Sequence, residues 1–164
     1  MNPPITVIEA SEEDKERVFE LHCELFHDEI EERWGWDDQW QIENFDKEWN
    51  RDEFEVVKHE DQVIGYLQFS YENDKIYLHN IAVVPSLQNN GLGSYLLEWI
   101  LKKAHELGTV VELSVHTKNE VALKLYNKFD FRIVESQPKA FLMRSKPETN
   151  QTVEATRPNS RFQF

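Results

Sequence analysis

The chain has 164 residues, 40% hydrophobic and 12% aromatic, with 18 Lys+Arg against 31 Asp+Glu for a formal net charge of −13. That length suits one domain with a single core, and that apolar content excludes a disordered chain. A pI near 4.9 lacks the basic footprint of a phosphate-backbone binder, so nucleic acid is not an expected partner.

Residues 5–8 form a β-branched run that predicts a first strand. Ser11 and Asp14 have the spacing of a capping box, and the helix they open carries Val18, Leu21, Leu25 and Phe26 on one stripe. Gly35 interrupts that helix, and a second helix is expected over about residues 38–52. Residues 54–57, 63–71 and 76–84 read as three strands of an antiparallel meander, the last ended by Pro85. A helix over 91–107 follows, with Leu92, Leu96, Trp99, Ile100 and Leu107 on its apolar face and Gly108 in the place of a left-handed C′ residue. Residues 110–115 read as a buried strand, and 119–129 as a helix carrying Val121, Leu125 and Tyr126. Residues 131–134 and 140–143 read as two closing strands. The order predicts a single α/β (α+β) domain over residues 1–145, followed by a polar C-terminal tail at 146–164.

No run approaches a membrane span, and the first residues lack the pattern of a secretory signal, so no membrane partner is expected. Cys23 is the single cysteine, which precludes an intrachain disulfide and fits a reducing cytoplasm. Its mid-helix place with no basic neighbour reads as core packing rather than as a nucleophile. His22 and His27 do not have a metal-site spacing, and no metal is expected.

The charge is uneven. Between Asp28 and Glu55 twelve acids face three bases, and four of the five tryptophans, Trp34, Trp36, Trp40 and Trp49, lie in the same stretch. One reading is a pair of amphipathic helices with solvated acidic faces and a tryptophan-rich core side. The other is a pocket wall offering π-faces and carboxylates to an amine, with Glu31, Trp34 and Trp36 as substrate-binding candidates.

The segment that carries chemistry is Gln88-Asn89-Asn90-Gly91-Leu92-Gly93-Ser94, where a strand ends and a helix begins with two glycines. The first N–H groups of such a helix have no intrahelical partner, and with the helix dipole they form an anion site suited to a pyrophosphate. A third glycine is absent at Leu96, so this is not a dinucleotide fingerprint, and Gly-Lys-Ser/Thr is absent, so it is not a Walker loop.

Gln88-x-x-Gly91-x-Gly93 matches the Gln/Arg-x-x-Gly-x-Gly/Ala signature of the GNAT superfamily of acyl-CoA N-acyltransferases. Asn80-Ile81-Ala82-Val83-x-Pro85 resembles that family's fourth strand, in the wording of its ribosomal-protein alanine acetyltransferase branch. Asn119-x-x-Ala122-x-x-Leu125-Tyr126-x-x-Phe129-x-Phe131, about 25 residues on, resembles its second conserved block. The resemblance implies a mixed, mostly antiparallel sheet of six to seven strands flanked by about four helices and splayed between strands 4 and 5. It implies acetyl-CoA as cosubstrate and no metal. Main-chain groups of Ile81 and Val83 would pair with the pantetheine, and Gln88, Asn89, Asn90, Gly91, Leu92, Gly93 and Ser94 would wrap the pyrophosphate. Asn119 would bond the cofactor arm, and Tyr126 would face the sulfur as general acid.

The activity so implied is transfer of an acetyl group to a primary amine by direct attack in a ternary complex. The acceptor is expected to be a cationic small molecule or a protein N-terminus. The general base stays open. In the alanine-acetyltransferase branch a glutamate stands twelve residues before the tyrosine, where this chain has Ser114. His79 on the fourth strand is the first candidate, since an imidazole titrates near neutrality. His116 and Glu112 are others, as is a water chain ending at Glu31 or Glu32. A non-catalytic acyl-CoA-binding or interaction module on the same fold is the alternative that Ser114 motivates, and homodimerisation is left open.

Overall fold

The computed structural model describes residues 4–147. Residues 1–3 and 148–164, which hold most of the expected polar tail, lie outside the described residues. The elements run β1 (Ile5–Glu9), α1 (Lys15–Trp34), α2 (Asp38–Arg51), β2 (Glu53–His59), β3 (Gln62–Glu72), β4 (Lys75–Val83), α3 (Leu92–Glu106), β5 (Val110–His116), α4 (Glu120–Lys128), β6 (Arg132–Ser136) and β7 (Ala140–Arg144). Hydrogen-bonded neighbours follow the order β1-β2-β3-β4-β5-β7-β6 in a seven-stranded sheet. The β4–β5 pair is parallel, whereas β1–β2, β2–β3, β5–β7 and β6–β7 are antiparallel. This is the mixed, mostly antiparallel sheet of six to seven strands with about four helices that the family resemblance implies, four α-helices being present among the described residues.

The chain divides into two compact units. One holds the described residues up to Ser70 together with Asn80–Asn90, and the other holds Tyr71–His79 together with the described residues from Gly91 onward.

In the first unit β1 pairs with β2 from Ile5↔His59 to Glu9↔Glu55. The β2–β3 hairpin turns at Glu60 and Asp61, both left-handed with φ of 52° and 65°, as a two-residue turn matched to strand twist requires. Asp14 starts α1: its carboxylate accepts from the Ser11 N–H at 2.9 Å and hydroxyl at 3.2 Å and meets Lys58 Nζ at 3.1 Å. Burial would raise the Asp14 carboxyl, and those hydrogen bonds outweigh it and lower its pKa. Gly35, at φ 83°, ends α1, and Asp37 caps α2 by accepting the Trp40 N–H at 2.9 Å. Val18 and Leu21 of α1, Phe45 of α2, Phe54 and Val56 of β2, Tyr66 of β3 and Ala82 of β4 form one buried cluster. Leu25, Phe26 and Trp49 pack against it, whereas Trp34 is 69% exposed and Trp40 56%. The tryptophan-rich core side is therefore true of Trp49 and not of Trp34 or Trp40. Gly65 is needed here, because a Cβ at that position would collide with the carbonyl oxygen of Ala82.

In the second unit α3 packs on β5, and it buries Leu92, Leu96, Leu97, Ile100 and Ala104. Leu107 is exposed, because α3 has already ended and Gly108 turns the chain left-handed at φ 67°. Val121 is 75% exposed in the first turn of α4, so Leu125 and Tyr126 carry that helix's inner face without it. β5 and β7 pair from Glu112↔Arg144 to His116↔Ala140. Glu112 is buried there, and its oxygens meet Lys75 Nζ at 3.2 Å and Arg144 Nη2 at 2.7 Å. Burial by itself would raise the Glu112 carboxyl, but hydrogen bonds from Arg144 and Lys75 prevail and hold its pKa below the ordinary value.

The folded pKa of Glu112 lies below its unfolded value of about 4.3. Its stabilisation is therefore complete above that value and is lost as pH falls through the lower folded pKa. We expect Glu112→Gln to lower stability by about 2 kcal/mol near neutrality, since it leaves two cations without their anion. Urea titrations from neutral pH down to about pH 3 should show the gap between wild type and variant closing at the acid end. A gap that does not change with pH would refute the ion-triad account.

Candidate active site

β4 ends at Val83, and Pro85–Leu87 forms a single 3-10 turn that no strand could continue. Gln88 then folds its side chain back, donating from Nε2 to the Val83 carbonyl at 3.0 Å. That carbonyl, expected to pair with the pantetheine, thus already accepts one hydrogen bond. Asn89 and Gly91 are both left-handed, with φ of 66° and 83°. Gly91 is the N-cap of α3, and the first intrahelical bond runs from the Tyr95 N–H to the Gly91 carbonyl at 3.0 Å. The N–H groups of Leu92, Gly93 and Ser94 precede that bond, and no side chain caps the helix.

The two glycines differ in what they need. Gly91 has open space where a Cβ would go and is held by its φ. Gly93 has ordinary helical backbone, and a Cβ there would meet Leu125 Cδ2 at 3.7 Å, an ordinary contact. The packing around α3 therefore does not require glycine at 93. Leu92 is buried, Gln88, Asn89, Asn90 and Gly91 are exposed, and Gly93 and Ser94 lie between.

Asn119 caps α4, its Oδ1 accepting the Ala122 N–H at 3.1 Å. Its amide nitrogen is the group left for a ligand. Tyr126 follows two turns on, half-buried against Phe131 with ring centroids 5.6 Å apart. Burial of its hydroxyl pushes the Tyr126 pKa up to about 12, so the phenol keeps its proton at every physiological pH.

The candidates for the base differ in their surroundings. Glu112 is gripped by Lys75 and Arg144. His116 Nδ1 accepts the Lys118 N–H at 3.1 Å, which places the proton of the neutral ring on Nε2. Ser114, between them in sequence, is exposed. His79 is half-buried on β4 and meets Tyr77 edge-on at 4.9 Å. Burial, and then the charge of Glu112, raise the Tyr77 phenol. Cys23 is half-buried, and burial followed by the charge of Asp38 raises its thiol, which disfavours a thiolate there.

At the end of α1 and in the turn before α2 the structure brings Glu31 and Trp36 together through His27. His27 Nε2 lies 3.3 Å from Glu31, its Nδ1 lies 3.1 Å from Asp28, and its ring is 4.6 Å from that of Trp36. Trp36 Nε1 donates to Asp38 at 2.7 Å. Trp34 instead lies under Arg33, 4.2 Å from its guanidinium. Sequence reasoning weighs His27 only as a metal ligand, and the signal for its contact with Glu31 is the i,i+4 spacing on a helix. Glu32 is exposed on the same helix. Among the described residues no group of three or more His, Cys, Asp or Glu is placed to hold a metal ion, and no helix is long and apolar enough to cross a membrane.

The family model for the acetyltransferase (GNAT) family matches residues 15–131. The N-alpha-acetyltransferase RimI of Mycobacterium tuberculosis is 30% identical over 142 residues, covering 80% of each chain. Among solved structures, the PaiA N-acetyltransferase of Thermoplasma acidophilum in complex with coenzyme A superposes with a TM-score of 0.72 at 18% identity, covering 87% of this chain and 99% of that one. Ard1 of Thermoplasma volcanium gives 0.66 at 25% identity, covering 85% and 95%. The family match spans both conserved blocks, from the first residue of α1 to the residue before β6, and the chain belongs to the GNAT acetyltransferase family, the acetyl-CoA-dependent N-acyltransferases.

Proposed function

We propose that this N-acetyltransferase acts on the α-amine of a polypeptide N-terminus, by direct attack in a ternary complex. The observation that supports the acceptor class is the 80% coverage by a relative named for N-alpha-acetylation. The observation that supports the cofactor site is the run of uncapped N–H groups at Leu92, Gly93 and Ser94 behind a left-handed Gly91. A pyrophosphate placed there meets backbone donors and the positive end of α3, with Gln88, Asn89 and Asn90 forming the exposed lip. Main-chain groups of Ile81 and Val83 and the Asn119 amide nitrogen are assigned to the pantetheine arm.

Acetyl-CoA supplies the thioester whose C–S bond breaks as the C–N bond forms. The amine must be neutral to attack, so a base has to take its proton. We assign that role to His79, a half-buried imidazole on β4 two residues from Ile81, which takes the proton through a water. A backbone N–H of the Val83 region stabilises the charge that grows on the carbonyl oxygen. Tyr126 donates a hydrogen bond to the departing sulfur. With a pKa pushed up to about 12, its phenol is always in the donor form, yet it is a weaker acid than a thiol, of about 8.5. Tyr126 therefore stabilises the thiolate chiefly as a hydrogen-bond donor, and full protonation is completed with solvent. The acceptor side is assigned to Glu31, Trp34 and Trp36, where carboxylates and π-faces attract an ammonium before it loses its proton.

Gly93→Ala should weaken acetyl-CoA binding about tenfold by calorimetry, the loss of roughly one or two hydrogen bonds to charge, with little change in melting temperature. Tyr126→Phe should do the reverse, lowering kcat about ten- to a hundredfold with acetyl-CoA affinity nearly intact. If both variants lose cofactor affinity alike, the separate roles are wrong. A thiol-release assay over N-terminal peptides, polyamines and amino sugars tests the acceptor class, and peptides should have the highest kcat/KM. Replacing Glu31 by Gln and Trp34 and Trp36 by Ala should raise the acceptor KM about tenfold with the KM for acetyl-CoA unchanged. An unchanged acceptor KM would remove these residues from the site.

A further inference from the structure

In the first unit a buried polar chain runs through a layer that is otherwise apolar. Asp52 follows α2 with its side chain wholly buried. Its carboxylate accepts from Arg51 Nε at 2.8 Å and Nη2 at 3.0 Å, and from Gln68 Nε2 at 2.8 Å. Gln68, on β3, is 1% exposed, and its Oε1 accepts from Asn80 Nδ2 at 2.8 Å. Asn80 is half-buried on β4.

The direction of this chain is dictated by chemistry. A carboxylate facing a guanidinium with both oxygens has no proton to donate, so the Gln68 group toward it must be the NH₂. The Gln68 oxygen is then turned to Asn80, so the Asn80 group toward Gln68 must also be the NH₂. The Asn80 oxygen is left over, and among the described residues Oδ1 accepts no hydrogen bond. Asn80 alternates with Ile81, so it shares a strand face with Ala82. Ala82 belongs to the cluster that includes Val18 and Leu21 of α1 and Phe45 of α2. Asn80 Oδ1 is thus on the face covered by α1 and α2, opposite to the strand face of His79 and Ile81.

We propose that Asn80 binds the acceptor, its Oδ1 taking a hydrogen bond from the amine N–H, and that Asp52 and Gln68 are positioning residues that hold the Asn80 amide oxygen-outward. The inference rests on the acetyl-transfer reading above and adds a residue to its acceptor side. A fixed oxygen on the helix-covered face orients the nitrogen that attacks. It also disfavours acceptors whose corresponding atom is an oxygen without a proton, because two acceptors would then face each other.

The experiment uses the full chain and the peptide with the highest kcat/KM in the thiol-release panel. Asn80→Ala and the near-isosteric Asn80→Leu should each raise the peptide KM about tenfold, while acetyl-CoA affinity by calorimetry stays within about twofold. Gln68→Met should raise the peptide KM by a smaller factor, and the Gln68→Met/Asn80→Ala double variant should equal Asn80→Ala alone. Unchanged peptide KM in both Asn80 variants overturns the proposal. Weakened acetyl-CoA affinity with unchanged peptide KM overturns it in favour of a cofactor contact. A double variant equal to the product of the single effects overturns the positioning role of Gln68. If Gln68→Met does not fold, the two Asn80 variants decide. Wild-type protein that releases no thiol with any amine overturns the acetyl-transfer reading itself, a result distinct from all of these.

Discussion

The left-handed turn at Gly91 is the constraint on which the chemistry of this protein depends. With φ at 83° it ends the loop and starts α3 abruptly, so the N–H groups of Leu92, Gly93 and Ser94 emerge together with no side chain to satisfy them. A protein of net charge −13 cannot draw an anionic cofactor by its overall field. Local dipoles, which act over a few ångströms, have to do it instead. The exposed segment from Gln88 to Asn90 carries no carboxylate of its own.

The acids lie elsewhere. Helices α1 and α2 hold eleven of the 31, and their inner faces contribute Val18, Leu21 and Phe45 to a buried cluster while Trp34 and Trp40 stay exposed. Exposed tryptophans next to carboxylates suit a cation better than they suit a core. The same unit buries Asp52, Gln68 and half of Asn80, a polar chain whose polarity is set at one end by Arg51. Buried polar groups of this sort specify geometry more than they add stability. Here the geometry specified is that of β4 beside Ile81 and Val83.

The second unit keeps its charges for structure. Glu112 is held between Lys75 and Arg144, which makes it a tie between β4, β5 and β7 rather than a proton acceptor. Tyr126 is desolvated enough to remain a phenol, and Asn119 both ends a loop and caps α4. These assignments could not be weighed from residue types, because Glu112, Ser114 and His116 alternate along one strand and look equally placed in sequence.

Much of the fold was legible along the chain. Strand and helix order, the interruption at Gly35, the left-handed Gly108 and the glycines of the cofactor loop follow from local rules: side-chain period, φ limits and unpaired helix amides. Leu107 and Val121 were misplaced on buried faces, since periodicity does not say where a helix stops or which of its turns is covered. Gly65 gave no local sign of its role, which comes from a carbonyl seventeen residues away. Likewise His27 acquires meaning only beside Trp36, and Asn80 only at the end of a hydrogen-bond chain from Asp52. By itself the sequence determined the family, the order of elements and the glycine turn that opens α3, because those are read by backbone geometry over a few consecutive residues. Tertiary structure alone decided which charged and amide side chains are engaged with one another, because that depends on partners far apart in the chain.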